Sequence, residues 1–359
     1  MAFFGVTVET IGYIRPHPNA DKLELGYLDG MKFQFIVGKG EWKRGDKCLY
    51  FPIDSILPNN IIEKLGLVGK LAGSQRNRVK TIKLRDEISM GIIGPISLVQ
   101  ELPNWETATS EEITQYLRIV KYEPPILDGG GYHKGRMVSL PTGLGVYDIE
   151  GAERYPGVVE RLLDQYVYIT EKLEGSNFSC GYSILDNEFY VNTRRHSLKE
   201  DPGQKSPYWE IARRDRLLDL AKRLAQEFAK VGLCPKMVTI YGEFVGPAVA
   251  GNIYRLTEHK VYVFDIKVDE LYLSSEQFWK VVRENPNILA VPLLEGGTRS
   301  FRDWLGGQSI QEASNGKSVL ADTLREGIVI KPQIEQLDLE LRGRLVIKQR
   351  SPEYLAKQK

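Results

Sequence analysis

A proline- and glycine-rich run that begins at Glu123 constrains the folding of this chain more than any other feature. Glu123-Pro124-Pro125 is followed by Asp128-Gly129-Gly130-Gly131. Proline removes a backbone donor and glycine adds conformational freedom, so neither a helix nor a strand is expected to continue through this segment. Because 359 residues also exceed what one core usually holds, we predict a domain over 1–125, a connector over 126–150 and a second domain over 151–359.

The composition indicates a soluble globular protein and excludes several classes. Hydrophobic residues make up 42% and charged residues 26%, and no apolar run reaches the ~18 residues that a membrane span needs. The three cysteines and four histidines are scattered, so neither a disulfide framework nor a zinc site is expected. We therefore expect a cytoplasmic protein without a signal peptide, a membrane contact or an obligate protein partner.

The two predicted domains differ in their local patterns. Before the break, short strand-like runs such as Lys32 to Val37 and Lys47 to Ile53 are separated by turn residues, which is typical of a small barrel or sandwich. After it, strand-like and helical runs alternate, and Tyr208 to Val231 has the period of one long amphipathic helix. Because the regular β–α–β rhythm is missing, we predict an α+β fold.

The common nucleotide-binding and hydrolase signatures fail. Gly316-Lys317-Ser318 resembles the end of a phosphate-binding P-loop, but Gln311 occupies the position of the required first glycine. Neither G-x-S-x-G nor H-E-x-x-H occurs. Candidate chemistry therefore has to come from a less common arrangement.

One lysine has a sequence context that suggests covalent chemistry. Lys172 ends a strand-like run in the segment Thr170-Glu171-Lys172-Leu173-Glu174-Gly175-Ser176-Asn177-Phe178. Gly175 allows the backbone to turn closely around a bound group. This K-x-x-G pattern is weak alone, since an exposed lysine before a turn satisfies it equally well. Its significance depends on the segments downstream of it in the chain.

Five strand-like segments downstream of the lysine each carry a charge or an aromatic ring. In order they are Asn192-Thr193-Arg194-Arg195, Tyr241-Gly242-Glu243-Phe244, Tyr262-Val263-Phe264-Asp265-Ile266, Glu326-Gly327-Ile328-Val329-Ile330-Lys331 and Leu345-Val346-Ile347-Lys348-Gln349-Arg350. Together with the K-x-x-G segment they resemble the ordered motifs of the covalent nucleotidyltransferase superfamily of ATP-dependent ligases and capping enzymes, over residues 165 to 350. The continuation Ser176-Asn177-Phe178 is most similar to the RNA ligase 2-like branch. The resemblance implies an ATP-grasp-like catalytic domain of antiparallel sheets with flanking helices.

The resemblance implies that Lys172 attacks the α-phosphate of ATP and becomes attached to AMP. It further implies that Glu243 and Glu326 contact the ribose or a divalent metal, and carboxylate oxygens suit Mg²⁺ or Mn²⁺. An ordinary lysine has a pKa near ~10.4 and is a poor nucleophile at neutral pH. We expect a metal ion and nearby cations to favour the neutral amine and to stabilise the developing phosphoryl charge. These cations are Lys331, Lys348 and Arg350.

Further ATP or RNA contacts are implied at positions that match the same motifs. Asn177 is implied to hold the RNA strand at the break, and Phe264 to stack on adenine, although Tyr262 lies on the same strand face and could share that role. Either Arg194 or Arg195 is expected to bind a phosphate. The complete set of implied nucleotide-contacting residues is Glu171, Gly175, Asn177, Arg194, Arg195, Glu243, Phe264, Lys331, Lys348 and Arg350.

The spacing within one of these segments does not fit simple strand alternation. Glu326 and Lys331 are five residues apart, so a regular strand places them on opposite faces. Either Glu326 precedes the strand, or a bulge intervenes.

The N-terminal part resembles the tRNA-binding OB domains of some aminoacyl-tRNA synthetases. The resemblance rests on His17-Pro18-Asn19-Ala20-Asp21-Lys22-Leu23 and Leu84-Arg85-Asp86-Glu87-Ile88-Ser89-Met90-Gly91. An OB barrel binds nucleic-acid strands with basic groups and aromatic platforms. The candidate basic groups are Lys80, Lys83 and Arg85. The candidate aromatic platforms are Phe33, Trp42 and Tyr50. Alternatively, these three aromatic side chains form part of the barrel core. An OB-like domain before the catalytic domain, and none after it, resembles the RNA ligase 5 family.

These patterns predict an ATP-dependent RNA ligase. The chain is expected to seal 3′-hydroxyl/5′-phosphate breaks, with RNA on the 3′-hydroxyl side of a nick, through a lysyl-AMP and an adenylylated 5′-end. The alternatives are a guanylyltransferase, a strand-end adenylyltransferase, or a non-catalytic RNA-binding protein based on the N-terminal resemblance alone.

Overall fold

The computed structural model describes residues 3–123, 137–200 and 205–357. The chain forms two compact units. In the first lie the described residues 3–123, 150–157 and 352–357, and in the second 137–149, 158–200 and 205–351. The predicted connector 126–150 falls partly outside the described residues.

The N-terminal unit is built on an antiparallel sheet. The strands from residue 3 to 123 are β1 (Thr7–His17), β2 (Ala20–Leu28), β3 (Gln34–Gly38), β4 (Lys47–Phe51), β5 (Ser55–Ile56), β6 (Ile82–Leu84), β7 (Glu87–Ser89), β8 (Ile92–Pro95) and β9 (Val120–Lys121). The helices are α1 (Asn59–Lys64) and α2 (Ser110–Tyr116). The main sheet has the order β3-β2-β1-β4-β8. Its edge strand β3 also meets the segment before β8, because Met90 N donates to Gln34 O at 2.7 Å.

Aromatic side chains that the sequence offered as RNA platforms belong to the core of this unit. Tyr50 is fully buried, and its hydroxyl donates to Met90 O at 2.9 Å. Phe33 stacks on Tyr50 with ring centroids 5.0 Å apart, and Trp42 packs against the same cluster. The alternative of barrel core is therefore correct for these rings. Tyr13, by contrast, is 52% exposed on β1.

Two sequence segments that carry the OB resemblance meet in space. At the β1–β2 turn, His17 Nε2 donates to Leu84 O at 3.1 Å, and its Nδ1 accepts from Asn19 N. Asn19 Nδ2 donates to Arg85 O at 2.9 Å. The turn is thereby fixed to the β6–β7 hairpin, whose residues 82–86 are exposed.

The remaining described elements run from residue 137 to 357. The strands are β10 (Met137–Ser139), β11 (Glu150–Gly151), β12 (Tyr166–Lys172), β13 (Ser176–Ser183), β14 (Glu188–Asn192), β15 (His196–Leu198), β16 (Met237–Val245), β17 (Lys260–Val268), β18 (Leu271–Tyr272), β19 (Leu293–Ser300), β20 (Gly327–Pro332), β21 (Leu337–Asp338), β22 (Gly343–Arg344) and β23 (Ile347–Arg350). The helices are α3 (Pro156–Leu162), α4 (Pro207–Arg214), α5 (Leu217–Lys230), α6 (Ser275–Glu284), α7 (Phe301–Leu305), α8 (Ile310–Ser314) and α9 (Pro352–Lys357).

The second unit is organised around two antiparallel sheets. One has the order β10-β15-β14-β13-β16-β17-β18, and in the other β23, β20, β12 and β19 are neighbours in that order. Helices α4 and α5 contribute to the core that covers the first sheet, where Leu220 and Leu224 pack with Phe178 and Ile240. Each such buried leucine contributes about 1.5–3 kcal/mol. This arrangement is the α+β fold that the sequence predicts.

The single long helix predicted over Tyr208 to Val231 is wrong. It is two helices, α4 and α5, separated at Asp215 and Arg216, and Arg216 has φ +55° in the left-handed region. Asn287 Nδ2 donates to Asp215 O at 2.9 Å. The break therefore depends on a contact with a distant segment, which hydrophobic periodicity cannot reveal. In the part of the chain that the structure describes, no helix has the length and apolarity to cross a membrane.

Candidate active site

The lysine identified by the sequence lies at the end of β12, next to an acidic group. Lys172 is the last residue of β12 and pairs with Gly327 at the start of β20. Its Nζ donates to Glu326 Oε2 at 2.6 Å. The lysine side chain is 25% exposed and the glutamate side chain 10%. The pair is thus largely shielded from water, while the amine keeps a route to a substrate.

Glu326 precedes β20, which explains its spacing from Lys331. Because the strand begins at Gly327, strand alternation does not govern the direction of Glu326. Ser351 N donates to Glu326 O at 2.8 Å and fixes its backbone. A Cβ on Gly327 would meet Gln349 O at 2.1 Å, so only glycine permits this approach of β20 to β23. Of the two alternatives left open by the sequence, the first is correct.

Glu243 reaches the same site from β16. In the pairing of β13 with β16, Asn177 lies opposite Glu243. A Cβ on Gly175 would lie 2.5 Å from Phe244 O and 2.9 Å from Glu243 Cγ. The glycine of the K-x-x-G pattern is therefore needed where the backbone packs against β16, and this close packing brings Glu243 near Lys172.

The protein's own charges act on the lysine in the opposite sense to the sequence expectation. Burial lowers the pKa of Lys172, but the carboxylates of Glu326 and Glu243 outweigh burial and raise it above its ordinary value. The pKa of Glu243 is raised to about 8: burial is the largest cause, the charge of Lys172 opposes it, and the negative charge of Glu326 adds to it. The site thus holds a protonated lysine paired with Glu326, next to a buried Glu243 carboxyl that keeps its proton at neutral pH.

Two predicted phosphate-binding cations share one face of β23. Lys348 and Arg350 are two residues apart and both partly exposed, with buried residues between and before them. Lys348 Nζ lies 3.4 Å from Asp148 Oδ1. Arg194 Nη2 donates to Asp148 Oδ2 at 2.7 Å, and its charge lowers the pKa of Glu243. Arg194 therefore faces the site together with Lys348.

Lys331 belongs to a buried network around Asp265. Its Nζ donates to Asp265 Oδ2 at 2.9 Å and to Phe264 O at 2.8 Å. Asp265 also accepts from Arg344 Nη1 at 2.7 Å and from Tyr147 Oη at 2.8 Å. Burial lowers the pKa of Lys331 while Asp265 opposes that effect. The ammonium of Lys331 is thus paired with Asp265, and its predicted effect on the charge of the nucleophile stays a prediction.

A bulge directs the aromatic residue that the sequence assigned to adenine. Between β16 and β17 the register steps from Tyr241 opposite Asp265 to Gly242 opposite Val263, so Phe264 has no partner across the strands. Bulges re-aim a side chain and occur next to active sites. Phe264 packs on Tyr147 with centroids 4.9 Å apart.

Tyr262 and Phe264 share a second, smaller cluster near the nucleophile. Tyr262 is buried in this cluster with Leu173, the residue after the lysine, and Phe264 packs against it while partly exposed. Of the two rings, Phe264 is therefore the one with a surface left for a ligand.

The carboxylate of Glu171 is buried and makes a hydrogen bond within the protein. The residue is 1% exposed. Because successive residues of a strand point to opposite faces, it faces away from Lys172. Its Oε2 accepts from Val319 N at 2.8 Å. The carboxylate therefore holds the segment that begins at Val319, which packs against Leu173 through Leu320.

Sequence reasoning missed Tyr147, Asp148 and Arg344. The first two lie in the predicted connector, whose lack of periodicity gave no signal of a functional position. Arg344 is one of several basic residues near the C-terminal end of the sequence, yet it stacks over Tyr272 at 3.6 Å and pairs with Asp265.

None of the described residues form a group of three or more His, Cys, Asp and Glu suited to a metal ion. The two carboxylates of Glu243 and Glu326 are enough for a Mg²⁺ site of the kind that uses one or two carboxylates and completes the coordination shell with phosphates and water.

Comparison with known proteins shows the family and the fold of the chain. The family model described as RNA ligase matches residues 165–349, just over half of the chain. A model described as an OB-fold domain matches residues 5–96. No curated protein matches the chain.

Solved structures match over nearly the full length. Naegleria gruberi RNA ligase with PPi is 25% identical, with a TM-score of 0.78 and coverage of 98% of each chain. A variant of the same ligase with ATP and Mn has the same identity, TM-score and coverage. The fold and the resemblance predicted from the sequence are thereby confirmed. The chain belongs to the RNA ligase family and carries an OB-fold domain ahead of its ligase domain.

Proposed function

We propose that this chain is an ATP-dependent RNA ligase in which Lys172 is the nucleophile and forms a lysyl-AMP. The observation that carries the proposal is the position of the Lys172 amine at a strand end, 2.6 Å from Glu326 and close to Glu243. Membership in the RNA ligase family supports it. So does the similarity to a ligase solved with ATP and Mn and with PPi.

In the first step Lys172 Nζ attacks the α-phosphorus of ATP. The ammonium first releases one proton to solvent. The neutral amine then forms the nitrogen–phosphorus bond, the bond to the bridging oxygen breaks, pyrophosphate leaves with that electron pair, and the nitrogen releases a second proton to solvent. Lys348 and Arg350, on one face of β23, are positioned to stabilise the negative charge that develops on the phosphoryl oxygens. Phe264 is the ring that we assign to the adenine.

The carboxylates of Glu243 and Glu326 fit a Mg²⁺ or Mn²⁺ ion. Burial raises the pKa of Glu243 to about 8, so at neutral pH this carboxyl holds a proton that a divalent ion would displace. When bound, a divalent ion would neutralise these carboxylates and polarise the phosphate. With the carboxylates neutralised, burial and Lys348 would favour the neutral amine of Lys172.

Two further steps complete the proposed reaction. AMP passes from Lys172 to the 5′-phosphate of an RNA-containing duplex, and the neighbouring 3′-hydroxyl then displaces AMP to close the break. Arg194 is assigned to phosphate binding in preference to Arg195, because it faces the site beside Lys348. Asn177, opposite Glu243, is assigned to the strand at the break. We propose a nick with RNA on the 3′-hydroxyl side as the substrate.

The remaining residues of the sequence-based set receive supporting roles. Glu171 holds the segment at Val319 that packs beside the nucleophile, and Lys331 anchors β20 to β17 through Asp265. We propose that residues 151–359 carry the nucleophile and the motif residues of adenylylation, with Tyr147 and Asp148 of the preceding segment in contact with them. We also propose that residues 1–125 bind RNA through the β6–β7 hairpin.

The test uses ATP labelled at the α-phosphate, with Mg²⁺ or Mn²⁺. The wild-type protein should gain one label, Lys172→Ala should gain none, and Lys280→Ala should match the wild type because Lys280 is exposed on α6. Labelled GTP in place of ATP should give no product, and labelling by GTP alone would point to a guanylyltransferase. A wild-type protein that takes no label from either nucleotide contradicts the enzymatic proposal.

A further inference from the structure

An aspartate outside all the recognised motifs joins two cations of the site. Asp148 Oδ2 accepts from Arg194 Nη2 at 2.7 Å, and Asp148 Oδ1 lies 3.4 Å from Lys348 Nζ. The aspartate side chain is 9% exposed, while Lys348 is 22% and Arg194 44% exposed. The two cations come from distant parts of the chain, the turn after β14 and the strand β23, so their common partner links these elements.

The position of Asp148 is fixed by the residue before it. Tyr147 donates its hydroxyl to Asp265 at 2.8 Å, and its ring packs on Tyr241 and Phe264 with centroids 5.0 and 4.9 Å away. The backbone N–H of Ile149 donates to Asp148 Oδ1 at 3.0 Å. A carboxylate anchored in this way can hold other groups in place, because it has little freedom to follow them.

We propose that Asp148 is a positioning residue that orients Lys348 and Arg194 towards the phosphates of the substrates. The inference rests on the proposed function, which assigns both cations to phosphate binding. An arginine has five N–H donors and a lysine three, so one shared carboxylate leaves donors on each cation for a phosphate. Asp148 therefore aligns the cations and need not be displaced when a substrate binds.

The charges around Lys348 give Asp148 a second effect. The pKa of Lys348 is lowered to about 8, and burial is the largest cause. Asp148 opposes this effect more than any other group, Lys172 and Arg350 add to it, and Glu326 also opposes it. Without the Asp148 charge, Lys348 would lose its proton at a lower pH and could no longer stabilise a phosphoryl group as a cation.

The experiment compares Asp148→Asn and Asp148→Glu with the wild type in lysyl-AMP formation. The rate is measured against ATP concentration from pH 6 to 9, with melting curves to correct for the folded fraction. Asp148→Asn should lower the maximal rate by about tenfold to a hundredfold, more than it changes the ATP concentration for half-maximal rate. Its loss of activity at high pH should begin about one pH unit lower, and Asp148→Glu should recover part of both effects.

The control is Asp322→Asn, since Asp322 forms an exposed pair with Lys317 at 2.6 Å, and it should behave as the wild type. A pH profile and a maximal rate unchanged in Asp148→Asn would overturn the inference. So would a tighter ATP interaction at an unchanged maximal rate, because Asp148 would then compete with phosphate. If the wild type forms no lysyl-AMP at all, the proposed function fails instead, which separates the two outcomes.

Discussion

The acids around Lys172 decide the form of its amine before any substrate binds. Glu326 and Glu243 raise the pKa of Lys172 against the effect of burial, so the resting lysine is an ammonium. Sequence motifs point to these acids but give no distances between them and the lysine. From the motifs we expected nearby cations to determine the charge of Lys172. In the structure, one of these cations, Lys331, donates a hydrogen bond to Asp265. The nucleophile therefore needs its acids neutralised before it can react.

This view predicts a competition between protons and metal at Glu243. Burial raises its pKa to about 8, so below that pH a divalent ion has to displace a proton. Metal affinity of the wild type, measured by calorimetry, should therefore fall as pH decreases from 8, by about tenfold per pH unit. Glu243→Gln should bind metal more weakly and lose most of this dependence. An identical pH dependence in the variant would show that another group releases the proton.

Gly175 is predicted to tolerate no side chain. Because a Cβ there would lie 2.5 Å from Phe244 O, Gly175→Ala should push β13 from β16 and move Glu243 away from Lys172. We expect lysyl-AMP formation to fall by about tenfold to a hundredfold, with a lower melting temperature. Gly145→Ala is the control, since a Cβ at Gly145 meets nothing within 4 Å. Equal behaviour of the two variants would contradict the steric argument.

At the scale of elements, the two sheets are tied by ionic contacts that start from one buried aspartate. Asp265 on β17 binds Lys331 on β20 and Arg344 on β22. Lys331 and Arg344 lower the pKa of Asp265 against the effect of burial, which would raise it. The bulge at Phe264 lies directly beside this contact, so the network also determines where the predicted adenine-stacking ring points.

Breaking this network should cost more stability than breaking a surface pair. Asp265→Asn leaves two buried cations without their shared anion, and we expect a loss of about 3–5 kcal/mol in the free energy of unfolding. Asp164→Asn removes an exposed pair with Arg302 and should leave stability unchanged within error. Urea unfolding of the two variants measures the difference. A similar small effect for both would mean that Asp265 is not the anchor.

The elements that could be predicted are those whose signal is local. The strands that carry Lys172, Glu243 and Lys348 were expected from short apolar runs, and the structure contains them as β12, β16 and β23. The break between α4 and α5 could not be predicted, because Asp215 is held by Asn287 from a remote segment. Asp148 was missed for a related reason, since it lies in a stretch without periodicity and acquires its partners only in the folded chain.

At the scale of the whole molecule, the charge is nearly balanced, at +1 for 48 basic and 47 acidic residues. RNA contact must therefore come from local surfaces and not from the overall charge. The β6–β7 hairpin is the surface that we propose for this contact, with Lys83 and Arg85 exposed at its tip and its backbone fixed by His17 and Asn19.

Removing these two charges should separate RNA binding from adenylylation. A Lys83→Ala/Arg85→Ala variant should form lysyl-AMP at the wild-type rate but seal nicked duplexes more slowly. The slope of log affinity against log salt should decrease in magnitude by about two. Lys64→Ala/Lys70→Ala, which removes two exposed charges elsewhere in the same unit, is the control. Sealing at the wild-type rate, or an equal loss of lysyl-AMP formation, would contradict RNA binding by this hairpin.

The most direct test of the central claim is to locate the attached AMP by peptide mapping with tandem mass spectrometry. The protein is incubated with ATP and Mn²⁺, digested, and searched for the mass of AMP on lysine. The modified peptide should be the one that contains Lys172, and the peptides with Lys331 and Lys348 should be unmodified. AMP found on Lys331 or Lys348, or no AMP on any lysine, would contradict the assignment of Lys172 as the nucleophile.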